Sequence, residues 1–343
     1  MKDLSDVTKI LSALTSVAAV SGEEYKLFDA IGSFFEEKSE RDALNSVIFE
    51  TNGDAEVSFL LDAHIDQIGF VVTDITEGGF VKVGAVGGID ARTLCATDVM
   101  IHAEGGDVFG VVTSVPPHLS GKNEGEAAEV TDIMIDIGMD KDNAEKAVSR
   151  GDTVSFRYEC RDLLNDRIVS PSLDNRAGAA VLIRVYQLLK SACPAAKVRY
   201  QFSSQEEAGM RGAKPASFGV KADEAIVVDV SFSTAPNVDK LHAGELGKGP
   251  MICISPVVEK SISDGLINVA KLNNIDFQTE ICSGGTGTNA DVISISGMGI
   301  KTGLVSVPLR NMHTFSEVIY KGDVELCAQL IAEYIKRRVC SDD

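Results

Sequence analysis

Residues 57–66 read Val-Ser-Phe-Leu-Leu-Asp-Ala-His-Ile-Asp, a mostly apolar run, VSFLLDA, that leads straight into His64-Ile65-Asp66. Apolar residues at successive rather than alternate positions mark a strand buried on both faces, as in a parallel sheet covered by helices. The polar triplet at its carboxyl end falls where open parallel sheets bind ligands. The same arrangement recurs along the chain. Strand 198–203 runs into Gln205-Glu206-Glu207-Ala208-Gly209, strand 225–230 carries Asp229 at its end, and strand 303–307 leads through Pro308 to His313. Asp174 stands at the opening of a helix, 177–190, that precedes one of these strands.

Outward from this strand, Val7, Ile10, Leu11 and Leu14 have helical spacing and predict a helix over 5–19. Ser21, three residues before Glu24, predicts a capping box opening a second amphipathic helix that ends near Glu37. After Asp66 the texture changes to short β-rich runs, GFVVTDI, GFVKVGAV, DVMIHAE and DVFGVVTSV, split by Gly and Asp turns, which suggest a small barrel or sandwich. A charged loop (122–129), a strand (133–137), a short helix (142–149) and a strand (153–158) continue it. Helices 263–272 and 322–338 complete the chain. The expected fold is α/β: a mostly parallel sheet flanked by helices, built from 1–66 and 166–343, with an inserted β-rich, barrel-like domain at 67–165. Strand edges left by such an excursion benefit from cover, so the insertion is expected to serve oligomerisation.

A length of 343 residues exceeds the usual compact domain, in keeping with an insertion. The formal charge of −19 repels polyphosphate and anionic lipid, so neither nucleic acid nor membrane is expected as a partner. With no tryptophan and 6% aromatics, base-stacking platforms are unexpected too. Seven scattered cysteines without a C-x-x-C pair fit neither a zinc ribbon nor a disulfide framework, and Cys253 and Cys282 read as small apolar packing. The amino terminus lacks a signal-peptide pattern and no apolar run approaches membrane-spanning length, which points to a reduced, cytoplasmic protein.

Acidic residues are abundant, so one carboxylate at a strand end means little; histidines number five, and two of them, His64 and His313, occupy these positions. Histidine with carboxylate is the ligand set of zinc, cobalt or manganese hydrolase centres, in which a carboxylate bridges two ions about 3.5–4 Å apart. His64 and Asp66 project to the same side of extended backbone, so Asp66 is expected to orient the His64 ring. Glu206 and Glu207 are adjacent and diverge, one toward metal and one toward substrate as proton acceptor. His102 reads as a surface strand residue, His118 as an exposed turn and His242 as structural. Glu23-Glu24 and Glu36-Glu37 read as a helix start and a solvated helix end. The run Gly284–Thr288 lacks a phosphate-loop lysine and reads as a loop near the site. A different amidohydrolase (deacylase or carboxypeptidase) and a metal-independent glycosidase using Asp174 and Glu206 are the competing functions. A non-catalytic scaffold has no physical need for clustered acids that repel one another without cations.

The pieces AHIDQIGF, VGAVGGIDART, SVPPH, PSLDNRAG, SSQEEAGMRGA, VVDVSFS, LGKGP, GGTGTNAD and PLRNMHTFSEV, in this order, resemble the M42 family of cytosolic metallo-aminopeptidases over essentially the whole chain. The resemblance implies two divalent ions per subunit, zinc or cobalt with manganese a further candidate. Asp174 would bridge them, His64 and Asp229 would complete one site, and Glu207 and His313 the other. Glu206 would be the general base and Asp66 the residue that holds His64. It also implies an insertion used for subunit contacts, homo-oligomers from dimers to tetrahedral dodecamers, and removal of N-terminal residues from short peptides. Gln67, Asn289 and Asn311 stand where the family often has Glu, Asp and an aromatic, departures that bear on substrate preference and metal affinity.

Overall fold

The computed structural model describes residues 4–115, 130–239 and 243–340; the charged loop 122–129, His118 and His242 lie outside them. Helix α1 (Ser5–Thr15) and the short α2 (Phe28–Gly32) precede strands β1 (Glu40–Arg41), β2 (Val47–Glu50) and β3 (Ser58–His64). The barrel strands follow: β4 (Gly69–Ile75), β5 (Val81–Val86), β6 (Asp98–Ala103), β7 (Gly106–Val112), β8 (Met134–Asp136) and β9 (Thr153–Phe156), with α3 (Lys141–Ala147) before β9. The chain then returns through β10 (Arg161–Leu163), β11 (Arg167–Ser170), α4 (Leu173–Ala192), β12 (Lys197–Ser203), α5 (Ala213–Ser217) and β13 (Glu224–Phe232). It ends with β14 (Met251–Ile254), α6 (Lys260–Leu272), β15 (Gln278–Ile281), α7 (Ala290–Ile293), β16 (Lys301–Leu309), β17 (Glu317–Tyr320) and α8 (Lys321–Cys340).

Eight strands form one sheet in the order β1-β2-β12-β3-β13-β16-β14-β15, and its centre, β12-β3-β13-β16, is parallel. Strand β3 shows why its sequence lacks alternation. Phe59, Leu61 and Ala63 join the core that also contains α1, α4 and α8, while Leu60 packs on the opposite face with Ala213 of α5 and Ile293 of α7. Helices on both faces leave no solvated side, so every residue of β3 is buried. The α/β architecture expected from the sequence is the one observed.

The β-rich segment closes into a six-stranded barrel, β4-β5-β8-β7-β6-β9, because β9 pairs with both β4 and β6. It has its own core, with Phe70, Val72, Val83, Ile101, Ile135 and Val154 pointing inward at alternate positions. Closure removes the free edges that the sequence argument invoked as a reason for subunit contacts.

Other differences have local causes. The second helix is only a 3₁₀ turn at Glu24–Leu27 followed by α2. The capping box does not form, since Ser21 Oγ donates to Asp66 Oδ2 (2.5 Å) and Glu24 is buried rather than solvated. Strands β1, β2, β14 and β15, toward the two ends of the sheet, were not legible because each is only two to four residues long. Cys253 is buried, while Cys282 is only partly so. Among the described residues no helix is long and apolar enough to cross a membrane.

Candidate metal centre

The register of the parallel strands brings the polar residues together. Ser203 pairs with His64, so the loop after β12 begins beside the end of β3, and Asp229 pairs with Ser306 of β16. Asp229 lies within β13 rather than past its end, since that strand runs on to Phe232. Asp174 is at the mouth of α4, where Asp174 and Asn175 depart from helical dihedrals before the regular helix begins. Asn175 secures this entrance: its Nδ2 donates to Val228 O (2.8 Å) and its Oδ1 accepts from Gly178 N (2.9 Å). His313 reaches the site from the turn between β16 and β17, with a positive φ of 61°.

Asp174 faces both histidines, one with each oxygen. Its Oδ1 is 3.2 Å from His64 Nε2 and its Oδ2 is 3.3 Å from His313 Nε2. Asp229 Oδ1 lies 3.7 Å from His64 Nε2, and Glu207 Oε1 lies 3.4 Å from His313 Nε2. Glu206 lines the same cavity as Glu207 but on the His64 side, with Oε2 4.0 Å from His64 Nε2. His64, Asp174 and Glu207 each offer a ligand atom within 4.8 Å of the others.

These spacings are a test of metal fit. Direct charge-assisted N–H···O⁻ bonds are about 2.7–2.9 Å long. Two atoms that each bind one tetrahedral ion at about 2.0–2.2 Å stand about 3.3–3.5 Å apart. The Asp174–His64, Asp174–His313 and Glu207–His313 distances match the second geometry. The charge inventory agrees, since four carboxyls (Asp174, Glu206, Glu207, Asp229) face only two imidazoles. Burial pushes the Glu207 acid up to about 8, with the Asp174 charge adding to it, and burial likewise holds Asp229 well above the carboxylate range. Burial also opposes ionisation of Asp174, but the two histidines outweigh it and hold that carboxyl well below its usual value. The Asp174 carboxylate, despite some opposing burial, raises His313 to about 9. Such an excess of buried negative charge is what a divalent cation relieves.

Asp66 is fully buried beside His64, with Oδ1 3.3 Å from Nδ1. Its oxygens also accept from Glu206 N (3.0 Å), Glu207 N (3.1 Å) and Ser21 Oγ. Burial works against its charge, but His64 and these donors keep its acid below the usual carboxylate value. Glu24, read from the sequence as a helix start, also supports this loop: its Oε1 accepts from Gln205 N (3.0 Å). Burial pushes the Glu24 acid up to about 7.

Sequence reasoning missed Glu317. It pairs with Ser170 across β17 and β11, and its carboxylate accepts from Asp174 N (2.9 Å) and His313 N (3.0 Å). The only signal was its place within PLRNMHTFSEV. Of the departures, Asn289 donates to Asp62 Oδ2 (2.9 Å) and Ser203 Oγ (2.8 Å), Gln67 accepts from Ala19 N, and Asn311 donates to Ser316 O. His102 lies between Asp107 Oδ1 (2.9 Å) and Ser155 Oγ (2.8 Å), away from this cluster. Gly88, just past β5, abuts His313: a Cβ there would come within 2.9 Å of the ring nitrogen Nδ1. The segment after the barrel strand therefore walls the site.

Histidines and carboxylates gathered at the strand ends of a parallel sheet form the donor set of a hydrolase centre. The M42 glutamyl aminopeptidase family matches residues 45–330, and the chain belongs to it. The lysyl aminopeptidase of Pyrococcus furiosus is 33% identical over 288 residues, which cover 83% of this chain and 82% of that protein. The aminopeptidase of Desulfurococcus kamchatkensis superposes with a TM-score of 0.90 at 27% identity, covering 97% of this chain and 95% of that one. The TET1 peptidase of Pyrococcus horikoshii, which can assemble into a tetrahedron or a large octahedral shell, gives 0.84 at 28% identity over 95% of this chain and 98% of its own.

Proposed function

We propose that this chain is a dinuclear metal-dependent aminopeptidase that removes N-terminal residues from short peptides. The observation that carries the proposal is Asp174, whose two oxygens face the two histidines at ligand-to-ligand distances. His64, Asp229 and one Asp174 oxygen would hold one ion, and His313, Glu207 and the other Asp174 oxygen the second. Bound divalent ions supply Lewis-acid polarisation and acidify water.

Glu206 serves as general base. It adjoins the ligands without the short contact that Asp174 makes, and burial raises its acid, which brings it toward the neutral range where proton transfer is efficient. Asp66 acts through Glu206 and Glu207, fixing the backbone from which both carboxylates project. Glu317 does the same for Asp174 and His313. The preferred metal is zinc or cobalt, with manganese a further candidate. The working particle is a homo-oligomer in which the barrel makes subunit contacts, supported by the shells that the Pyrococcus horikoshii relative forms.

The deciding experiment follows hydrolysis of free and Nα-acetylated peptides by apo-protein refilled with Zn²⁺, Co²⁺ or Mn²⁺. Stepwise loss from the free amino terminus, only after refilling, is expected. Full activity at zero measured metal rejects the proposal, and release of C-terminal residues moves it to a carboxypeptidase.

A further inference from the structure

The cavity beside the proposed ligands, about 280 Å³, is also lined by a carboxylate that no step above uses. Glu280 projects into it from β15. Its Oε1 accepts from Ser231 Oγ, and its Oε2 accepts from Ser306 Oγ (3.3 Å). Burial raises its acid, the two serines are its hydrogen-bond donors, and no Lys, Arg or His among the described residues stands as a charged neighbour to it. Two hydroxyls would be satisfied as well by an amide oxygen, so tying β15 to β13 and β16 does not account for a charge there. A buried carboxylate without a cation is costly unless a ligand brings one.

We infer that Glu280 selects a basic first residue, its carboxylate pairing with the cation of an N-terminal lysine or arginine side chain. The inference rests on the aminopeptidase function proposed above and names its substrate class. Ser306 is the register partner of Asp229, so with strands about 4.8 Å apart the Glu280 carboxylate lies ~8 Å from Asp229. An extended lysine side chain spans about 6 Å from Cα to Nζ, enough to reach Glu280 from a peptide held at the metal ligands. Phe232, Leu304 and Met312 line the same cavity and offer apolar surface to the methylene stem, while the cation meets the carboxylate.

The test uses metal-loaded native protein and Glu280→Gln with lysyl, norleucyl and glutamyl p-nitroanilides. Norleucine keeps the stem of lysine and lacks its charge. The native protein is expected to favour lysyl over norleucyl substrate by about tenfold to a hundredfold in kcat/KM. Glu280→Gln should abolish that ratio while norleucyl turnover persists, which also shows that the variant is folded. Glu280→Lys should turn the preference toward the glutamyl substrate. A native protein without lysyl preference, or a preference unchanged in Glu280→Gln, overturns the inference while leaving the aminopeptidase function standing. No turnover of any substrate removes both.

Discussion

Replacing Asp66 by Asn tests whether this residue works by holding the loop that carries Glu206 and Glu207. Both carboxylate oxygens are in use: Oδ1 accepts from Glu206 N at 3.0 Å, and Oδ2 accepts from Glu207 N at 3.1 Å and from Ser21 Oγ. An asparagine retains one acceptor. With its oxygen toward Glu206, its NH₂ faces Ser21, whose hydroxyl can turn to accept, and Glu207 N–H, which cannot. The reverse orientation leaves the Glu206 N–H facing a donor. Either way a charge-assisted bond is lost, worth about 1.5–3 kcal/mol, and a largely buried N–H is stranded, worth about 1–3 kcal/mol. If much of this cost falls on the placement of Glu207, metal affinity should drop about 10- to 100-fold, the range typical for groups that support ligands. Competition with a chromophoric chelator measures it, and kcat at saturating metal should recover much of the native value because every proposed ligand is still present. Ser21→Ala is the control, since it removes one hydroxyl donor and strands no N–H. Its affinity should stay within a few-fold of native. Native affinity in Asp66→Asn, or equal losses in both variants, would refute the loop-holding role.

Dialysis against a strong chelator should abolish activity, and a divalent transition metal should restore it, as read by turnover alongside metal analysis. Glu206→Gln should retain metal while kcat falls about 10²–10⁴-fold, whereas Glu207→Gln should lose metal and respond to excess metal; mass spectrometry of metal content with kcat separates them. Asp323 accepts from Gly247 N (2.7 Å) and Gly249 N (2.9 Å), yet burial raises its acid from 3.8 to about 6. A carboxyl raised on folding binds more protons in the native state, so its contribution is favourable at low pH and is lost as pH rises from about 4 to 6, on the order of 3 kcal/mol. The urea-derived stability of native protein minus that of Asp323→Asn should therefore decline over that window; a flat or rising difference contradicts it. Light scattering at micromolar concentration should give a particle larger than the 36.5 kDa monomer, and a fully active monomer would exclude the oligomer.

The sequence alone determined the layers of this fold and most of the candidate centre, because both are written in local pattern. Mostly apolar runs without alternation, such as 57–63, mark a sheet covered on both faces, and the polar residues that follow these runs fall at the carboxyl ends of parallel strands. The change to short runs after Asp66 likewise announced the barrel. The sequence did not reveal that the barrel closes, since closure depends on β9 finding β4 and β6, pairings between segments far apart in the chain. Nor did it reveal the supports of the centre. Glu24 looks like any acid at a helix start and Glu317 like any acid beside a turn, until packing buries them against the backbone N–H groups of Gly22 and Gln205, and of Asp174 and His313, respectively. Asp66, expected beside the His64 ring, lies 3.3 Å from it and also accepts from Glu206 N and Glu207 N, a loop contact that depends on where two remote strands end. Periodicity is local and survives in the sequence; the partner of a buried polar atom is set by three-dimensional register, which only the folded chain decides.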